Sequence, residues 1–121
     1  MKTFNLPFGI INILKENIAE VIISEGVEFD KQNVAIYHDF LLSNLEKPFS
    51  ILLNKKHSYS YTFEAQKIVA SLKEMNCIAV VAYTEARKMA IETIININKP
   101  LNIKLFDYRE DALSWIVSSN R

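Results

Sequence analysis

The run Cys77-Ile78-Ala79-Val80-Val81-Ala82-Tyr83 constrains this chain more than any other stretch. It is apolar from end to end, with no polar residue at every second position. A strand with one wet face alternates; a continuous run belongs to a strand covered on both faces. Such a strand requires helices packed above and below a sheet. The next residues meet that requirement. Thr84 is suited to an N-cap, and Glu85 to Asn98 reads as a helix stopped by Lys99-Pro100. Leu101 to Phe106 (LNIKLF) is the next strand. A closing helix buries Ala112, Leu113, Trp115 and Ile116, and Asp107 and Glu110 have the spacing of a capping box at its start. Asn76 to Ile116 is thus a strand–helix–strand unit with a helix after it.

The residues before this unit extend the same pattern. Phe4 to Leu14 (FNLPFGIINIL) reads as one strand, with Pro7 and Gly9 marking an edge or a bend. Ile18 to Ser24 (IAEVIIS) is a second strand, joined to the first across Lys15-Glu16-Asn17 as an antiparallel hairpin. Asp30 is placed to cap a helix from Lys31 to Glu46, where Val34, Tyr37, Leu41 and Leu45 recur at helical spacing before Pro48. Phe49 to Leu53 is a short strand, and Asn54 to Tyr61 (NKKHSYSY) a polar loop. Thr62 opens a helix that carries Ala65, Ile68, Val69, Leu72 and Met75 on one face. The order β-β-α-β-α-β-α-β-α predicts an α/β fold, a five-stranded mixed sheet with four helices, in one domain over residues 1–121.

Function is narrowed mainly by exclusion. Acidic and basic residues balance at 14 each, so no global field gathers nucleic acid, and none is expected as a partner. The single cysteine, Cys77, forms no intramolecular disulfide and reads as a small buried hydrophobe. Two glycines are too few for a phosphate-cradling loop, so no cofactor is expected. His38 and His57 are the only imidazoles and lie in no metal-ligand spacing. Neither pairs in sequence with a nucleophile and an orienting carboxylate, so no enzyme is expected. No apolar run approaches the roughly 18 residues of a membrane span, and no leader pattern opens the chain. The expectation is a cytoplasmic protein without an integral membrane segment.

Three surfaces are candidates for contact. The loop residues Lys55, Lys56, His57, Ser58 and Ser60, interleaved with Tyr59 and Tyr61, form a candidate anion site at a helix start. Arg87 and Lys88 stand where the Cys77–Tyr83 strand hands over to its helix, the end of a strand that ligands favour in α/β folds. On that helix Ala86, Ala90, Thr93, Ile94 and Ile97 make a core stripe. Ile91 and Ile95 extend the apolar surface beside it and are expected to meet a partner or an apolar ligand.

Ala79-Val80-Val81, Phe106-Asp107, and Ala112 with Trp115 three residues on carry a family resemblance. From about Ile78 to Ile116 the chain resembles the SpoIIAA-like branch of the STAS domains (sulfate transporter and anti-sigma factor antagonist). The resemblance implies a SpoIIAA-like fold and a regulatory, non-enzymatic role through a protein partner or a homodimer. Similarity in fold to CRAL-TRIO modules implies the alternative, a carrier of a lipid or other small apolar ligand. Antagonists of the branch carry an Asp-Ser-Ser-Gly type phosphorylation motif. Here the corresponding junction reads NKKHSYSYTF, Asn54 to Phe63, with neither Asp-Ser nor Gly.

Overall fold

The structure, a computed structural model, describes residues 1–97 and 102–119. Eight strands and four helices succeed one another in these residues. They are β1 (Lys2–Leu6), β2 (Gly9–Lys15), β3 (Ile18–Ile23), β4 (Glu28–Phe29), α1 (Lys31–Asn44), β5 (Phe49–Lys55), β6 (Ser60–Tyr61), α2 (Phe63–Ile68), β7 (Met75–Ala82), α3 (Glu85–Ile97), β8 (Ile103–Phe106) and α4 (Arg109–Ser119). Six strands form a mixed sheet in the order β1-β2-β3-β5-β7-β8. The first three pair antiparallel, and β3, β5, β7 and β8 run parallel. The short strands β4 and β6 pair with each other at one end.

Alternation along the strands divides the core in two. Ala19, Val21, Ile51, Ile78 and Val80 point to the face closed by Val34, Tyr37 and Leu41 of α1, Ala65 of α2, and Ile91 and Ile94 of α3. Ile18, Leu52, Cys77, Ala79 and Val81 point to the other, under Ala112 and Ile116 of α4. Strand β7, flanked by β5 and β8, is therefore buried along nearly its whole length, as its unbroken apolar run requires. Cys77 is fully buried, and its Sγ donates to Ser50 Oγ at 3.2 Å. Trp115 is only half-buried, resting on Phe106 at 5.6 Å between ring centroids, whereas Ala112 is fully buried.

The caps at Asp30, Thr62 and Thr84 form as their residue types predict, each accepting the amide three residues on. Other expectations are corrected. Phe4 to Leu14 is two strands, because Leu6 pairs with Gly9 and Pro7-Phe8 make a tight turn between them. Gly9 is required there: a β-carbon would collide with the Ile22 carbonyl oxygen and lie 2.9 Å from Ile23 Cα. Phe8 is thereby swung into the core against Phe29 and Tyr37. The sheet thus has six strands where five are expected. The helix after Thr62 stops at Ile68, and Met75 opens β7 instead of extending the helix. Asp107 does not close a capping box; its carboxylate pairs with Lys88 at 2.6 Å. The expected stop at Lys99-Pro100 and the strand start at Leu101 lie outside the described residues.

Candidate functional site at the carboxyl ends of the parallel strands

The parallel pairing brings three strand ends together. Lys55 at the end of β5 lies beside Ala82 of β7, and Val81 beside Phe106 of β8. The segments that leave these three strands therefore meet at one rim. Arg87, in the first turns of α3, turns back over it: Nη1 donates to the carbonyls of Lys55 at 3.2 Å and Lys56 at 3.4 Å. Its neighbour Lys88 reaches the opposite way, to Asp107 after β8 and to Glu85 at 3.5 Å. Hydrogen bonding to Asp107 raises the Lys88 ammonium above its ordinary value. Of the two cations expected at this handover, Lys88 is paired and Arg87 is not, among the described residues.

The segment Asn54–Tyr61 is not a uniformly solvated loop. β5 continues through it to Lys55, which is 1% exposed. Its ammonium lies 3.7 Å from the Tyr59 ring centroid and 5.4 Å from that of Tyr61, whose hydroxyls are 3.1 Å apart. Burial first, and the Arg87 charge second, push the Lys55 ammonium down to about 8. The rest of the segment is tied to the residues after β3. Gly26 N donates to Ser58 O at 2.8 Å, Ser58 N to Glu25 Oε1 at 3.0 Å, and Ser60 N to Val27 O at 3.0 Å. Lys56, Ser58 and Ser60 are exposed and His57 is half-buried. The candidate anion site is thus narrowed to Lys55, Lys56 and the guanidinium of Arg87.

The segments and helices that follow these strands also carry exposed apolar side chains. Seven large hydrophobic side chains are exposed among the described residues, and four of them lie here: Phe63 at the start of α2, Tyr83 after β7, Met89 early in α3, and Tyr108 before α4. None stands out by sequence spacing: Phe63 and Tyr108 sit between polar neighbours, Tyr83 closes the apolar run, and Met89 reads as part of an amphipathic helix.

Beside the rim, on the α4 face, lies a polar network centred on the buried Glu20 and Asn54. Arg109 grips Glu20 with two bonds of 3.0 Å, Asn54 Nδ2 donates to Glu20 Oε2 at 3.0 Å, and the Tyr83 hydroxyl donates to Asn54 Oδ1 at 2.9 Å. Burial alone would raise the Glu20 carboxyl; the bonds from Arg109 and Asn54 outweigh it and hold the group below its ordinary value. The signal for this site was the charge of Glu20 inside the apolar strand IAEVII.

The expected outer surface on α3 is not where spacing put it. Ile91 is 2% exposed and packs in the core, Ile95 is half-buried against it, and Ala86, Ala90 and Thr93 do not form the buried stripe. The helix is rotated by about 100° from the expected stripe, the angle between successive residues. Ile91 lines an apolar cavity of about 40 Å³ with Val21, Tyr37, Tyr61, Ile78 and Ile94. His38 Nε2 lies 2.9 Å from the Val69 carbonyl, and burial lowers its pKa. No group of His, Cys, Asp and Glu among the described residues is arranged to hold a metal ion. No helix among them is long and apolar enough to cross a membrane.

Residues 12–120 match the family described as a domain of unknown function, DUF7793, and the chain belongs to that family. No curated protein and no solved structure matches it.

Proposed function

We propose that this DUF7793 domain is a non-enzymatic, STAS-like regulatory module that binds a partner protein through the carboxyl-end rim of its parallel strands. The observation that carries this reading is that four of the seven exposed large hydrophobic side chains among the described residues, Phe63, Tyr83, Met89 and Tyr108, belong to the segments and helices that follow β5, β7 and β8, the end at which Arg87 bonds the Lys55 and Lys56 carbonyls. Aromatic residues, Met and Arg are the types enriched at the centres of protein interfaces. Exposed large apolar side chains grouped on one rim mark such a site more strongly than scattered ones. The STAS-like part of the reading is supported by the serial order of β3, β5, β7 and β8, each leading on to a helix among the described residues.

The second reading, a carrier of a lipid or other small apolar ligand, has the apolar cavity behind α3 in its favour. At about 40 Å³ that cavity is far below the roughly 300 Å³ at which small-molecule pockets begin. Partner binding therefore ranks first. The test is affinity capture from the native host with wild type and with the double variant Phe63→Ala/Tyr108→Ala, followed by mass spectrometry. A partner held by wild type and released by a variant of unchanged melting temperature supports the rim. Equal capture by both proteins, or a co-purifying lipid in place of a protein, overturns it. A second copy of the chain as the captured protein makes the rim a homodimer interface.

A further inference from the structure

Among the described residues, two cations at the end of β5 stand together without an acid. The Lys55 ammonium is buried, and among the described residues it meets only the rings of Tyr59 and Tyr61. The Arg87 guanidinium spends Nη1 on two backbone carbonyls, which fixes its position, and its Nε and Nη2 meet no described acceptor. The nearby carboxylates are otherwise engaged: Glu25 accepts from Ser58 N, while Glu85 and Asp107 pair with Lys88. Burying an ammonium without a counter-ion is unfavourable, and a like charge beside it adds to the cost. The aromatic face of Tyr59 offsets only part of this. One anion between the two groups would relieve both.

We propose that Lys55 and Arg87 form a binding site for a phosphate-type oxyanion at the carboxyl end of β5, with exposed Lys56 at its mouth. A guanidinium anchored by its own backbone bonds presents its remaining N–H groups in a fixed fork, the geometry that matches phosphate oxygens. The ammonium supplies a point charge from below. Tyr59 lies over the ammonium, so the segment 57–60, tied through Ser58 and Ser60 to Glu25, Gly26 and Val27, must lift for the anion to enter, while the Lys56 carbonyl stays on Arg87. The site stands independently of the rim's protein partner, since its probe is a small ion.

The experiment is thermal melting and calorimetric titration of the whole chain with inorganic phosphate, against sodium chloride at matched ionic strength. O-phospho-L-serine is titrated in a second arm. Wild type should show a saturable upward shift in melting temperature of about 4 °C or more at high occupancy. Lys55→Met and Arg87→Gln should each weaken phosphate at least about tenfold, as loss of one charge-assisted contact predicts. Lys2→Met, at the exposed start of β1, should leave it unchanged. If Lys55→Met fails to fold, Arg87→Gln decides alone, because its side chain is half-exposed. Binding of phosphoserine as tight as phosphate assigns the oxyanion to a phosphorylated side chain, and binding of phosphate alone assigns it to the free ion. A response no larger than that to chloride, or one that survives both substitutions, overturns the site.

Discussion

Lys55 is buried against the preference of its type. Its amine is held at about 8 in the fold against its ordinary 10.5, so the native state binds its proton less tightly than the unfolded chain. The unfolded state therefore carries more protons between these values, and stability rises with pH from about 8 toward 10. At about 1.4 kcal/mol for each tenfold change in proton affinity, the full effect is about 3 kcal/mol. Above pH ~10 the trend reverses. Buried Tyr37, Tyr59 and Tyr61 are all raised above their ordinary value, so stability they confer below that pH is lost above it. Urea denaturation at pH 7, 9 and 11 should show the maximum at the middle value, and Lys55→Met should remove the rise from 7 to 9. Glu20 obeys the opposite rule. Its lowered carboxyl contributes stability above the ordinary glutamate range, and that contribution disappears as pH falls through its folded value. Glu20→Gln should cost about 1.5–3 kcal/mol at pH 7 by loss of the charge that strengthens the Arg109 and Asn54 bonds, and should flatten acid unfolding below the ordinary glutamate range.

The elements differ in how they hold to the sheet. α3 packs through Ile91 and Ile94, with Met89 outside. Ile91→Ala should cost about 2–5 kcal/mol and enlarge the cavity it lines, while Met89→Ala should change stability by less than about 0.5 kcal/mol. Similar melting of the two variants would show that the helix is turned the other way. The expected stripe at Ala86, Ala90 and Thr93 failed because alanine and threonine fit either face of a helix. The registry was decided by which isoleucines find the cavity wall. α4 is held at its start by Arg109 on Glu20 and along its length by Ala112 and Ile116. β1 was not legible as a separate strand, because Pro7 and Gly9 mark a bend within one strand as readily as a turn between two. The close approach of Gly9 to Ile22 is a contact across strands that neighbours in sequence do not reveal.

At the scale of the whole molecule, β5 and β7 are the interior of both layers, while β1 and β8 end the sheet on either side. Native-state hydrogen exchange should be slowest in Ile51–Leu53 and Ile78–Val81 and markedly faster in Lys2–Leu6. Uniform protection across the six strands would contradict the order. Cys77 adjoins the slow region, buried and with its thiol raised by that burial, so labelling by a thiol reagent should be slow until the protein is denatured. The rim at the other extreme is exposed and held by side-chain bonds from Arg87 and Lys88, so Phe63→Ala and Tyr108→Ala should leave the melting temperature within a few degrees of wild type.

By itself the sequence determined the features that depend on near neighbours. The caps at Asp30, Thr62 and Thr84, the alternation of strands and helices after Ile18, and the two-sided burial of Cys77 to Val81 all come from residue type and short-range period. Only the tertiary structure decided what lies between distant residues. Glu20 and Arg109 are 89 positions apart, and Arg87 reaches carbonyls 31 and 32 positions before it. Lys55 reads as a soluble loop residue until β5 extends and Tyr59 closes over it. The physical reason is that parallel pairing places the carboxyl ends of β5, β7 and β8 side by side, so side chains scattered along the chain become one surface.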